Sequence, residues 1–110
     1  MVGAGLEAGS AAVPVYMITE IDIKDEKLYA EYVKSVREVV VKHGGRYLVR
    51  GGQVTPLSGN WNPERITIIE FETIEHLRRC FGSEEYRELA PLKEKSTLGR
   101  SIVVEGCQQT

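Results

Sequence analysis

The sequence holds little of what specialised chemistry requires. Among its 110 residues there are two cysteines, Cys80 and Cys107, too few and too far apart to form a disulfide framework or a zinc-type Cys pair. No apolar run approaches the ~20 residues of a membrane span. Charge of one sign is missing too: fourteen Lys and Arg face sixteen Asp and Glu, a formal charge of −2. The phosphate-neutralising term that dominates nucleic-acid affinity is therefore absent, and no RNA or DNA partner is expected. There is no phosphate-binding GxxxxGK loop, no GxGxxG opening a helix and no GxSxG elbow. A single RGG at residues 50–52 closes a strand and is not a repeat tract. Residues 1–13 lack a basic stretch followed by an apolar core, so they do not read as a secretory signal. Their Gly/Ala/Ser bias reads as a flexible N-terminal arm or a cloning remnant. Reduced thiols and the lack of a membrane partner point to a cytoplasmic address.

What is present is the composition of one globular domain, 42% apolar and 27% charged. The domain is expected over residues 14–107, with 108–110 as a tail. Val15–Ile23 is a β-branched, aromatic and largely alternating run, which predicts a strand. Asp25 is placed to cap a helix over residues 26–43, where Tyr29, Tyr32, Val33, Val36, Val39 and Val40 recur at helical spacing. Gly44 and Gly45 end it. Arg46–Arg50 predicts a second strand closed by Gly51 and Gly52. Residues 53–64 read as a polar connection, with a short strand pair expected near 53–56. Arg65–Phe71 predicts a third strand. Thr73 caps a second helical region carrying Ile74, Leu77, Cys80 and Phe81. Ser83 recaps it after Gly82, and Pro91 is expected to kink or restart it. Residues 101–105 predict the last strand.

The order β-α-β-β-α-β is the split βαβ, or ferredoxin-like, arrangement: an α+β fold with a four-stranded antiparallel sheet. Both helical regions then lie on one face of the sheet. The other face stays bare and must be covered, most simply by a second copy packed sheet to sheet, giving a homodimer and a dimeric α/β barrel.

This topology gathers chemistry-bearing residues at one end of the sheet. The first and second strands finish there with Asp22 and Arg50, and the third begins with Arg65. Trp61 lies on the adjoining loop and Tyr29 at the start of the first helix. Two guanidiniums side by side can grip a carboxylate or phosphate, with Trp61 as a flat wall and Asp22 as an internal counter-charge. Asp22, Tyr29, Arg50, Trp61 and Arg65 are therefore the expected ligand-binding residues; the bland alternative is a structural Arg–Asp pair. Glu20 and Glu70 fall inside central strands at opposite ends, so they read as paired or outward-facing acids before general bases. His43 reads as a helix-terminal residue favoured by the dipole. His76 and Cys80 stand four apart on one helical face, but two ligands do not make a metal site, and none is expected. No cofactor is expected either.

Several stretches resemble the domain-of-unknown-function family DUF1330 of the dimeric α/β-barrel superfamily. They are DEKLYAEY at 25–32, HGGRYLVRGG at 43–52, GNWNPER at 59–65, IIEFET at 68–73, SEEY at 83–86, APLK at 90–93 and VVEG at 103–106. Three positions depart from the family pattern: Ser58 where a Glu is common, Lys93 where an Arg is usual, and Cys80 where an aromatic often stands. The resemblance implies a ferredoxin-like dimer without an agreed activity. Superfamily relatives include monooxygenases, dehydratases and isomerases that use the space between sheet and helices. The expected function is accordingly the binding of a small anionic or polar metabolite at the barrel end, cofactor-independent catalysis included. The alternative is a non-enzymatic ligand-binding or dimeric interaction module.

Overall fold

The computed structural model describes residues 13–107; the arm expected over 1–13 lies outside them but for its last residue, as does the tail at 108–110. Its elements are β1 (Val15–Ile23), α1 (Glu26–Lys42), β2 (Arg46–Arg50), β3 (Arg65–Phe71), α2 (Ile74–Phe81), α3 (Glu84–Ser96) and β4 (Thr97–Glu105). Each helix begins where a short polar side chain replaces a missing intrahelical acceptor. Asp25 accepts from the Leu28 N–H at 3.0 Å, Thr73 from the His76 N–H at 3.2 Å and Ser83 from the Tyr86 N–H at 3.2 Å. Helix α1 stops at Gly44, whose φ of 85° is a left-handed conformation that other residues resist.

Three expectations need correction. Residues 53–56 form no strand, and the whole connection from 51 to 64 lacks secondary structure. The last strand starts at Thr97, four residues earlier than its apolar run indicates. The cause is a direct helix-to-strand joint. The Ser96 carbonyl accepts from the Lys24 and Asp25 N–H groups at 2.7 and 3.1 Å, which sets Thr97 opposite Ile23 at once. Pro91 lies inside α3 and does not restart the helix; the restart belongs to Ser83.

The four strands are antiparallel in the order β2-β3-β1-β4. Strand alternation gives the sheet two unlike faces. Val15, Met17, Thr19 and Ile21 of β1, with Thr67, Ile69 and Phe71 of β3, face the helices and make the core with Tyr29, Tyr32, Val36, Val39, Val40, Leu77 and Cys80. Phe71, Val40 and Cys80 are fully enclosed. Packing is close enough that a methyl group on Gly45 would come within 2.5 Å of Val40 and 2.9 Å of Phe71. The other face presents Tyr16, Ile18, Glu20 and Asp22 beside Ile66, Ile68 and Glu70, and beside Leu98, Arg100, Ile102 and Val104 of β4.

Candidate functional site

The covered face is not filled completely. Between α1 and the sheet runs a cleft lined by Thr19, Thr67, Tyr29, Tyr32, Tyr47, Arg50 and Lys93 amid aliphatic side chains. It contains about 440 Å³ of non-protein space, of which about 40 Å³ admits the centre of a water molecule. At ~10–15 Å³ per water that is room for a few waters.

A bulge decides that Arg50 belongs to this cleft. Strict alternation along β2 would put Arg50 on the same face as Arg46, which pairs with Glu70 on the open side at 2.7 Å. The register instead shifts between Tyr47 and Val49, so Tyr47 and Arg50, three residues apart, share the covered face. The Arg50 guanidinium stacks 4.5 Å from the Tyr47 ring centre and donates to the Val33 carbonyl at 3.1 Å. Arg65, opposite Ile21 on β3, lies on the same face. Its guanidinium sits 5.3 Å from the Tyr29 ring centre, and its Nε donates to the Tyr29 hydroxyl at 3.1 Å. Gly51, with a φ of 76°, makes space for it: a Cβ there would fall 2.3 Å from an Arg65 nitrogen. Among the described residues no carboxylate lies within ion-pair distance of either arginine.

Tyr29, Arg50 and Arg65 are thus on one face of the sheet, and the other two expected residues are on the opposite one. Asp22 follows Ile21, so alternation turns it to the open face opposite Leu98, where it is exposed. It is not the counter-charge of the two arginines. Trp61, 56% exposed, lies over the open face beside Ile18, Ile66, Arg100 and Ile102. It does not wall the cleft. Glu20 and Glu70 also face the open side, where Glu20 pairs with Arg100 at 2.8 Å and Glu70 accepts from Arg46 and from the Tyr16 hydroxyl. His43 donates from Nδ1 to the Val39 carbonyl at 2.9 Å at the end of α1. His76 Nδ1 meets the Thr73 hydroxyl at 2.7 Å, while Cys80 is buried in the core.

The electrostatics of the cleft come from burial. Desolvation pushes the Tyr32 phenol far above its ordinary value, with Tyr86, whose hydroxyl is 3.2 Å away, adding to the rise. It also raises Tyr47, against the pull of the Arg50 guanidinium, and Tyr86. These phenols keep their protons and act as hydrogen-bond donors. Burial has the opposite effect on Lys93, holding its ammonium below the usual value. Sequence reasoning gave no site role to Tyr32, Tyr47 or Lys93. The signal for Lys93 was there: with Tyr86 and Leu89 it falls at i, i+3 and i+7, on the inward stripe of α3.

Comparison with known proteins places this architecture. No curated protein matches the chain. A protein of unknown function from Rhodopseudomonas palustris superposes with a TM-score of 0.76 at 16% identity, covering 89% of this chain and 85% of its own. The cofactor-independent oxygenase SnoaB from Streptomyces nogalater gives 0.66 at 10% identity, with coverages of 90% and 97%. A putative antibiotic biosynthesis monooxygenase from Nitrosomonas europaea gives 0.56 at 13% identity, with coverages of 87% and 91%. At such identities the likeness is one of fold, and it agrees with the ferredoxin-like topology described above. The family model for a domain of unknown function, DUF1330, matches residues 14–107, essentially the whole of the folded unit, and the chain belongs to that family.

Proposed function

We propose that this protein is a homodimer that binds a small anionic metabolite in the cleft between α1 and the sheet, with its carboxylate on Arg50. One observation carries the reading. Arg50 faces a half-buried cleft with a single donor engaged by the Val33 carbonyl and, among the described residues, no acid to balance its charge. A guanidinium offers five donors in a fixed fork, so a bidentate carboxylate completes it. Tyr29 lines the same cleft with Arg65 bonded to its hydroxyl, and Thr19, Thr67 and the protonated phenols supply further donors. The dimer is supported by the open face, where Ile18, Ile66, Ile68 and Ile102 form an apolar patch between the Arg46–Glu70 and Arg100–Glu20 pairs.

Titration calorimetry with small mono- and dicarboxylates tests the binding. Saturable heat is expected from the wild type and not from Arg50→Ala; equal binding by both would remove the site. Cofactor-independent turnover of the bound metabolite, the chemistry named for SnoaB, is the catalytic extension of this reading. The composition of the lining favours a second reading, a non-enzymatic binder. Its titratable groups are phenols, one guanidinium and one amine, with no carboxylate or imidazole to serve as a ready base. Ligand consumption by the purified protein separates the two.

A further inference from the structure

We infer that Lys93 is a nucleophilic amine that condenses with the carbonyl group of a small oxo acid held on Arg50. The inference rests on the carboxylate-binding reading above and adds to it the substrate class and the second functional group.

Lys93 differs from the other lysines of the chain. Lys24, Lys27, Lys34, Lys42 and Lys95 are all exposed, whereas Lys93 is half-buried and lines the same cleft as Arg50. Among the described residues it has neither an ion-pair partner nor a hydrogen-bonded acceptor for its ammonium. A lysine kept only for structure would gain from a carboxylate there, and the cleft offers none. Its backbone is fixed with care. The Lys93 carbonyl accepts from the Thr97 hydroxyl at 2.7 Å, from the Ser96 hydroxyl at 3.4 Å and from the Thr97 N–H, which ties the end of α3 to the start of β4. The side chain therefore leaves a rigid point. It also borders an outer groove lined by Tyr86, Ala90, Glu94 and residues 97–101, so a ligand can reach it from solvent.

A desolvated amine is biased toward its neutral, nucleophilic form. Burial does lower the basicity of Lys93. The step balances simply. The Nζ lone pair attacks the carbonyl carbon, the carbonyl oxygen gains two protons to match the two that Nζ gives up and leaves as one water, and a C=N bond joins ligand to Lys93. Arg50 holds the carboxylate, which places the neighbouring oxo carbon within the same small volume. The size of the cleft favours the smallest members of the class.

The test is trapping. Wild-type protein is incubated with glyoxylate, or with pyruvate, and cyanoborohydride, which reduces the imine to a stable secondary amine; peptide mapping then locates the adduct. The adduct is expected on Lys93 in preference to the exposed lysines, the direction in which burial shifts its amine. Excess glycolate, a carboxylate with no carbonyl, should suppress it, and Lys93→Arg should abolish it in a folded protein. Adducts spread evenly over the exposed lysines would overturn the inference. So would Arg50-dependent binding of glycolate or malonate with no trapping at Lys93, a result that leaves the carboxylate site standing and makes Lys93 a second cation. Trapping of glyoxylate at Lys93 that is equal in wild type and Arg50→Ala would keep the reactive amine but remove the carboxylate site, and with it the oxo-acid inference.

Discussion

The two faces of one sheet follow the same alternation and end up with opposite characters. The covered face is aliphatic and aromatic, buried to a few per cent, with hydroxyls and two arginines gathered at one end. The open face mixes isoleucines with ion pairs that span neighbouring strands, and Leu98 and Ile102 remain 60% and 59% exposed. Buried area alone explains the first face. The second keeps apolar side chains in water, at a cost of about 25 cal/mol per Å² relative to burial, unless something covers them. The fold thus leaves a cleft on one side and an open apolar patch on the other, and substitutions can show whether the two act independently.

The largest effect is expected on the open face. Ile18 sits on central strand β1 with Ile102 opposite it. In a two-fold sheet-to-sheet dimer, Ile18→Lys buries an unpaired charge from each copy, on the order of 3–5 kcal/mol apiece. Light scattering at micromolar concentration should then fall from twice the chain mass to the chain mass, with the helical circular dichroism kept. A wild type that already runs as a monomer would end the dimer proposal.

Next is the covered face. Phe71 is wholly enclosed, between Gly45 and the Phe81 ring, whose centre is 5.9 Å away. Phe71→Ala should cost about 3–5 kcal/mol in urea unfolding, the range for large aromatic truncations. Ile68→Ala, three residues earlier on β3 and so on the open face, should cost clearly less at concentrations where any dimer is dissociated. Equal costs would mean that the faces are not distinct.

The cleft is tested by charge. Arg50→Ala should weaken carboxylate binding by about 1.5–3 kcal/mol, the range for hydrogen bonds to charged groups. Trp61→Ala, on the far side of the sheet, should leave it unchanged. A loss of affinity with Trp61→Ala as large as that with Arg50→Ala would reunite the residues that the sheet separates.

How much of this was legible in the sequence depended on period and on turns. The helices declared themselves through caps, Asp25, Thr73 and Ser83, and through the valine and tyrosine stripe of α1. The strand order followed from the split βαβ pattern. The site was only half legible, because placing a strand residue on a face requires an unbroken count. Asp22 was one position from Ile21, and one position is the whole sheet away. Arg50 reached the cleft through a bulge that no residue type in RYLVR announces. Trp61 sits on a connection without secondary structure, whose path no periodicity fixes. β4 began early because a backbone joint at Ser96, not an apolar pattern, aligned its first residues. Lys93 was hidden differently. A lysine on an inward stripe is ordinarily read as reaching out to solvent, and only its cleft neighbours show otherwise.

The smallest effect is silent at neutral pH. Cys80 belongs to the covered face, fully buried with its Sγ 3.9 Å from the Val39 carbonyl, and burial, with Glu85 adding to it, pushes its thiol up to about 11 from an ordinary 9.0. A thiol that ionises more easily in the unfolded chain than in the folded one leaves stability untouched below pH 9. Between pH 9 and about 11 the unfolded state holds fewer protons, so stability falls as pH rises. The buried phenols act in the same direction and Lys93 in the opposite one, so the slope of the wild type alone does not isolate the thiol. The difference between wild type and Cys80→Ala does: the variant should lose a constant amount below pH 9 through its cavity, and the gap should narrow above it. Iodoacetamide at pH 8 gives an independent reading, modifying the exposed Cys107 while sparing Cys80 until denaturant opens the core. Rapid modification of Cys80 in the folded protein would place the thiol in contact with solvent and withdraw it from the covered face.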